Sequence, residues 1–143
     1  MKKYFATFVL AAFLLNTATQ AQKLKASAVP PAVKSALQSK FPEAKNVVWE
    51  KENGNIEANW GGKSNEDHSA MFSPSGAFIE VVNAIPVSEL PASVSVYVKE
   101  HYKGKKITEA GRVTDAKGKI TYEAEVNKKD VIFDEHGKFI KSE

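Results

Sequence analysis

The chain of 143 residues has no cysteine. That absence excludes disulfides as a source of stability. It also excludes a thiol nucleophile and a leader of the bacterial lipoprotein type, which needs a cysteine just after its cleavage site. Beyond residue 15 no run is apolar for long enough to span a bilayer. The sequence Gly-x-Ser-x-Gly is missing, so the strand-to-helix elbow that exposes a serine nucleophile has no counterpart. A surplus of one charge is missing too. The 20 basic and 17 acidic residues are interleaved, which leaves no stripe suited to a phosphate backbone and argues against nucleic acid as a partner.

The chain opens on a targeting pattern. Lys2 and Lys3 precede an apolar stretch from Tyr4 to Leu15, and Thr19-Gln20-Ala21 offers small residues for cleavage. This order is that of a secretory signal peptide over residues 1–21, and the apolar stretch is too short for a membrane anchor. Cleavage leaves Gln22 as the new N-terminus and a net charge near +1. The exported part, residues 22–143, is expected to be one domain stabilised by burial alone, with no stable membrane anchor.

That part reads as one unit written twice. Val29-Pro30-Pro31-Ala32-Val33 is followed at an offset of 61 by Leu90-Pro91-Ala92-Ser93-Val94. The same offset carries Phe72-Ser73-Pro74-Ser75-Gly76 onto Phe133-Asp134-Glu135-His136-Gly137. A duplication of this length fixes the architecture before single elements are assigned. The copies occupy about residues 27–85 and 86–143.

Each copy starts with proline and then shows helical periodicity. Val33, Ala36, Leu37 and Phe41 form one apolar stripe before Pro42 stops the helix. Leu90, Val94, Tyr97, Val98, His101 and Tyr102 form the second, which ends at Lys103-Gly104-Lys105. Val96 lies off that stripe. The period then changes to two, with strands expected over Val47 to Glu52, Ile56 to Trp60, His68 to Phe72 and Ala77 to Val82. Asn53-Gly54 marks the first hairpin. The second copy repeats the series over Ile107 to Thr114, Ile120 to Val126, Val131 to Phe133 and Lys138 to Ile140. In its middle, Tyr122-Glu123-Ala124-Glu125 matches Ile56-Glu57-Ala58-Asn59 at an offset of 66. The first hairpin of copy two is therefore longer, and the loop near Asn127-Lys128 shorter. The expected fold class is α+β: two tandem repeats of one helix plus a four-stranded antiparallel meander, with the helices packed on sheet.

A helix and meander closing on Phe133-Asp134-Glu135-His136-Gly137-Lys138 resembles the PepSY-like family of exported bacterial proteins. That family is related in fold to the beta-lactamase inhibitor proteins, which also carry two such copies. Leu90-Pro91 and the Val94, Tyr97, Val98, Tyr102 helix match it. The first copy matches more loosely, with Ser73 where the family often has Asp. The resemblance implies a disposition to bind proteins or peptides, as an inhibitor or propeptide-like module does, and no catalytic set.

The residues agree in offering little chemistry. His68, His101 and His136 stand in unrelated contexts, with no oriented nucleophile beside them. Asn65-Glu66-Asp67-His68 and Asp134-Glu135-His136 gather metal donors, but at no established ligand spacing. Asp134 with Gly137 reads first as a turn. No cofactor is expected. Trp49 and Trp60 occur only in copy one and have two readings: core under the helix, or an aromatic protein-binding surface. Glu50, Glu52, Glu57 and Asn59 mark the opposite, polar face, which is either solvated or a contact surface. The expectation is a periplasmic or secreted non-catalytic binding module for an exported protein or peptide, with a small-ligand or metal-ion binding protein as the alternative.

Overall fold

The structure is a computed structural model, and it describes residues 21–143. The leader expected over residues 1–21 lies outside them except for Ala21. The chain divides into two compact units, with the boundary between Val81 and Val82.

In the first unit the order is β1 (Gln22–Leu24), α1 (Pro31–Lys40), β2 (Val48–Glu52), β3 (Asn55–Trp60), β4 (His68–Phe72) and β5 (Phe78–Ala84), the last running just past the boundary. Neighbouring strands are neighbours in sequence. Antiparallel pairing aligns Leu24, Trp49, Ala58 and Ala70 across β1 to β4. Pro31 opens α1, where its missing N–H leaves no bond unmade. The Phe41 amide closes the helix by donating to the Leu37 carbonyl at 2.7 Å, and Pro42 bars another turn. The apolar stripe of α1 then covers the sheet. Val33, Leu37, Trp49, Ile56, Ala58, Trp60, Ala70 and Phe72 form the core. Each large side chain so buried contributes about 1.5–3 kcal/mol.

The second unit runs α2 (Ala92–His101), β6 (Ile107–Asp115), β7 (Ile120–Val126), β8 (Lys129–Asp134) and β9 (Phe139–Ser142). Ala110, Ala124 and Val131 align across its sheet. They meet Leu90, Val94 and Val98 in the core, with Val126 and Phe133. Val96 is more than half exposed. The helix forms despite this β-branched residue because packing of its other face outweighs the small propensity cost.

The duplication governs details that periodicity did not reveal. A 3-10 turn precedes each helix, at Ala26–Ala28 and at Val87–Glu89, again 61 apart. The Gly76 amide donates to Ser73 O and the Gly137 amide to Asp134 O, both at 2.9 Å. Both glycines are left-handed, φ 87° and 78°. Each lies against the first turn of its own unit's helix. A Cβ on Gly76 would come within 2.7 Å of Ala32 O, and one on Gly137 would run into Ser93 Oγ. Ala32 and Ser93 are themselves equivalent positions. The loops trade length as the sequence implies: a two-residue turn at Asn127 and Lys128, both at positive φ, stands where the first unit has residues 61–67.

Two features depart from expectation. The first unit has an extra edge strand, β1, because Gln22–Leu24 finds a free edge on β2. Three residues are too few to show a period. The polar face is also not merely solvated: Glu52, Glu57, Glu80 and Glu123 are buried. Among the described residues no helix is long and apolar enough to cross a membrane.

Candidate binding face

Both tryptophans are core residues. Trp49 is 8% exposed and Trp60 is 3% exposed. The Phe41 ring lies 5.2 Å from Trp60, and His68 stacks on the indole at 5.3 Å. Little ring surface is left for a partner, so the sheet face that the helices leave open becomes the candidate.

Strand alternation builds that face. In the first unit Glu50 pairs with Glu57, Glu57 with Met71, and Asn59 with Ser69. In the second, Glu123 pairs with Gly111 and Ile132, and Glu125 with Glu109 and Asp130. Glu57 and Glu123 are equivalent, and both are 2% exposed. A buried glutamate in mid-sheet was thus kept in both copies. Around each lies a half-buried rim: Val48, Glu50, Asn59 and Ser69 in one unit, Glu109, Thr121, Glu125 and Asp130 in the other.

Burial dominates the electrostatics. Glu57 is pushed up to about 7 by loss of water, with Glu50 adding to the shift and the Ser69 hydrogen bond opposing it. Ser69 Oγ donates to Glu57 Oε1 at 2.5 Å, while Oε2 has no hydrogen-bond partner. A protonated carboxyl suits such a site better than an anion. In the second unit Asp130 takes the place of Ser69, and Glu125 that of Asn59. Asp130 is likewise raised to about 7, by burial first and then by Glu125, Glu143 and Glu109. Facing like charges destabilise a sheet, on the order of 1 kcal/mol per pair. Thr108 Oγ1 donates to Glu125 Oε1 at 2.5 Å, but the three opposed carboxyl groups still repel one another across the row.

The other candidates have structural roles. Asp134 Oδ1 accepts from the amides of His136 and Lys138, each at 2.9 Å, and these bonds hold its carboxyl below the ordinary range. Asp115 makes the same turn with Lys117 and Lys119. His101 Nδ1 lies 3.0 Å from Tyr97 O, its ring stacked on Tyr97 at 4.0 Å. His136 is solvent-exposed beside Glu135, and His68 lies on Trp60. Among the described residues no group of three or more His, Cys, Asp or Glu is placed to hold a metal ion.

Sequence reasoning placed Glu57 on the right face but missed its burial, and it did not single out Glu109, Glu123, Glu125 or Asp130. The usable signal was the recurrence of Glu57 as Glu123 at the offset of 66, each facing an apolar residue on the next strand.

The sequence matches the family model described as "Putative beta-lactamase-inhibitor-like, PepSY-like" over residues 15–60 and 62–141. The chain belongs to this PepSY-like family. The fold is shared with solved structures from Bacteroides. One from Bacteroides eggerthii, called a "putative periplasmic" protein, has a TM-score of 0.69 at 16% identity, covering 80% of this chain and 88% of its own. A DUF2874 family protein from Bacteroides uniformis gives 0.67 at 19% identity, with coverage of 80% and 88%. A BLIP-like protein from Bacteroides fragilis gives 0.62 at 16% identity, with coverage of 80% and 85%. At these identities the likeness is one of fold. No curated protein matches the sequence.

Proposed function

We propose that this PepSY-like protein is an exported, non-catalytic binding module that receives a protein or peptide partner on a helix-free sheet face. Its role is that of an inhibitor or regulator of an exported enzyme. The observation that carries this reading is the opposed row of Glu109, Glu125 and Asp130. Carboxylates kept together at a cost to folding are explained by a partner that neutralises them, so the contacting surface of that partner is basic. The leader-like start and the periplasmic description of a structural neighbour support the compartment. The fold shared with a BLIP-like protein supports the inhibitor-like role.

Affinity capture from periplasmic extract tests it, with wild type and the Glu109→Gln, Glu125→Gln, Asp130→Asn variant as paired baits. The expected result is a partner retained by wild type, eluted by salt and lost from the variant. A partner held equally by both baits, or turnover of a substrate by the protein itself, would overturn it. Circular dichroism and urea unfolding of both baits separate loss of the partner from loss of structure.

A further inference from the structure

Beside the last turns of α2 the second unit has a groove of about 500 Å³. This volume lies within the range that small-molecule sites occupy. Val87 and Ile107 provide its apolar lining, with the buried Val98 beneath, and Lys99, Lys105 and Lys106 also line it; no Asp or Glu does. Val87 is 36% exposed, leaving apolar surface in contact with water.

Lysines at a helix C-terminus are ordinarily explained by the helix dipole, and that explanation covers Lys99. It does not cover Lys105 and Lys106, which lie beyond the helix. The backbone does not require them. The same turn closes the first unit's helix: Ala44 N–H donates to Phe41 O at 3.0 Å, as Lys105 N–H donates to Tyr102 O at 2.9 Å. At the equivalent positions the first unit has Gln38, Ala44 and Lys45. On one backbone, therefore, a single cation in one copy faces three in the other, gathered on an apolar groove.

We propose that this groove binds a small amphipathic anion, a carboxylate with an aliphatic tail, whose head group meets Lys99, Lys105 and Lys106 and whose tail lies on Val87 and Ile107. The site is separate from the open sheet face and does not depend on it. Three lysines lining one groove, with no carboxylate among the lining residues, favour an anion there, and that attraction is screened by salt. The tail adds affinity that a bare anion lacks.

The test is a titration of the ¹⁵N-labelled protein with decanoate, decylamine and inorganic phosphate in parallel. Decanoate is expected to shift the amides of Ser95, Gly104 and Lys105 saturably. Binding weakens as salt rises from about 50 to about 500 mM. The Lys99→Gln, Lys105→Gln, Lys106→Gln variant binds at least about tenfold more weakly. All three side chains are exposed, and unchanged signals from the core confirm that the variant is folded. The proposal is overturned by the absence of a saturable shift, by equal affinity in the variant, by decylamine binding as tightly as decanoate, or by phosphate doing so.

Discussion

The two units share a frame but fill it differently. In the first, the helix presents Ala36 and the sheet presents Trp60. In the second, the helix presents Tyr97 at the position of Ala36, and the sheet has Val126 at that of Trp60. Ala110 likewise stands where the first unit has Trp49. Tyr97 packs edge-on against Phe133 at 5.5 Å, in the region that Trp60 and Phe41 fill in the other unit. Side-chain volume has moved from sheet to helix while the turns, the glycines and the buried glutamate stayed in place. The lesson is that interior density is what the fold demands, and that either layer can supply it.

The sharpest way to break this comparison is Trp60→Ala. Phe41 at the end of α1 already packs on the indole and is too small to fill the space it would vacate, so a loss of about 3–5 kcal/mol is expected in urea unfolding. Val126→Ala removes far less volume and should cost about 1–2 kcal/mol, near one to two buried methyl groups. Equal losses at the two positions would refute the exchange of volume.

The glycines come next. Gly76→Ala places a Cβ against Ala32 O, a backbone atom that cannot rotate away, and also incurs the left-handed cost of about 1–2 kcal/mol. Gly137→Ala meets Ser93 Oγ, which turns aside only by giving up its hydrogen bonds to His136 O and Gly137 O, and also Pro91 Cβ at 2.8 Å. Both should destabilise by at least the left-handed cost, read as a fall in the urea midpoint. If Gly137→Ala costs no more than Gly118→Ala, whose Cβ would meet nothing within 4 Å, the close approach to the helix is not what selects glycine there.

A pH effect of similar size is expected. Unfolded, Glu57 releases its proton near 4.5; folded, it holds it to about 7. Between those values the native state binds more protons, so stability falls as pH rises and levels off above 7. For Glu57 the fall is on the order of 3 kcal/mol at most. Asp130, raised from 3.8 to about 7, acts in the same direction. Urea midpoints at pH 5 and pH 8 measure it. Glu57→Gln should flatten the slope from the first unit and leave that from Asp130. The smallest effect belongs to Ser69→Ala, about 1 kcal/mol for the lost hydrogen bond. Because that bond opposes the shift, its loss should move Glu57 higher still.

What was legible in the sequence follows from what physics writes into a pattern. Pro31 and Pro42 bracket α1, and Asn53-Gly54 specifies its hairpin, because each limits backbone geometry locally. β1 was hidden, since Gln22–Leu24 is a strand only by virtue of a free edge on β2. The burial of Glu57 was hidden because alternation tells which face a residue takes, not how deeply neighbours such as Met71 enclose it. The row of Glu109, Glu125 and Asp130 depends on register across three strands, which no local pattern encodes. Trp49 and Trp60 had two readings until the covering helix and the Phe41 and His68 rings were located around them.

The most direct test of the proposed binding role is photocrosslinking in the periplasm, with the reactive residue at Glu125 or Asn59 on the open faces and at Lys34 or Val96 on the helices. The account expects a discrete adduct from an open-face position and none from the helices. An adduct formed only through the helices, or none anywhere, would contradict it.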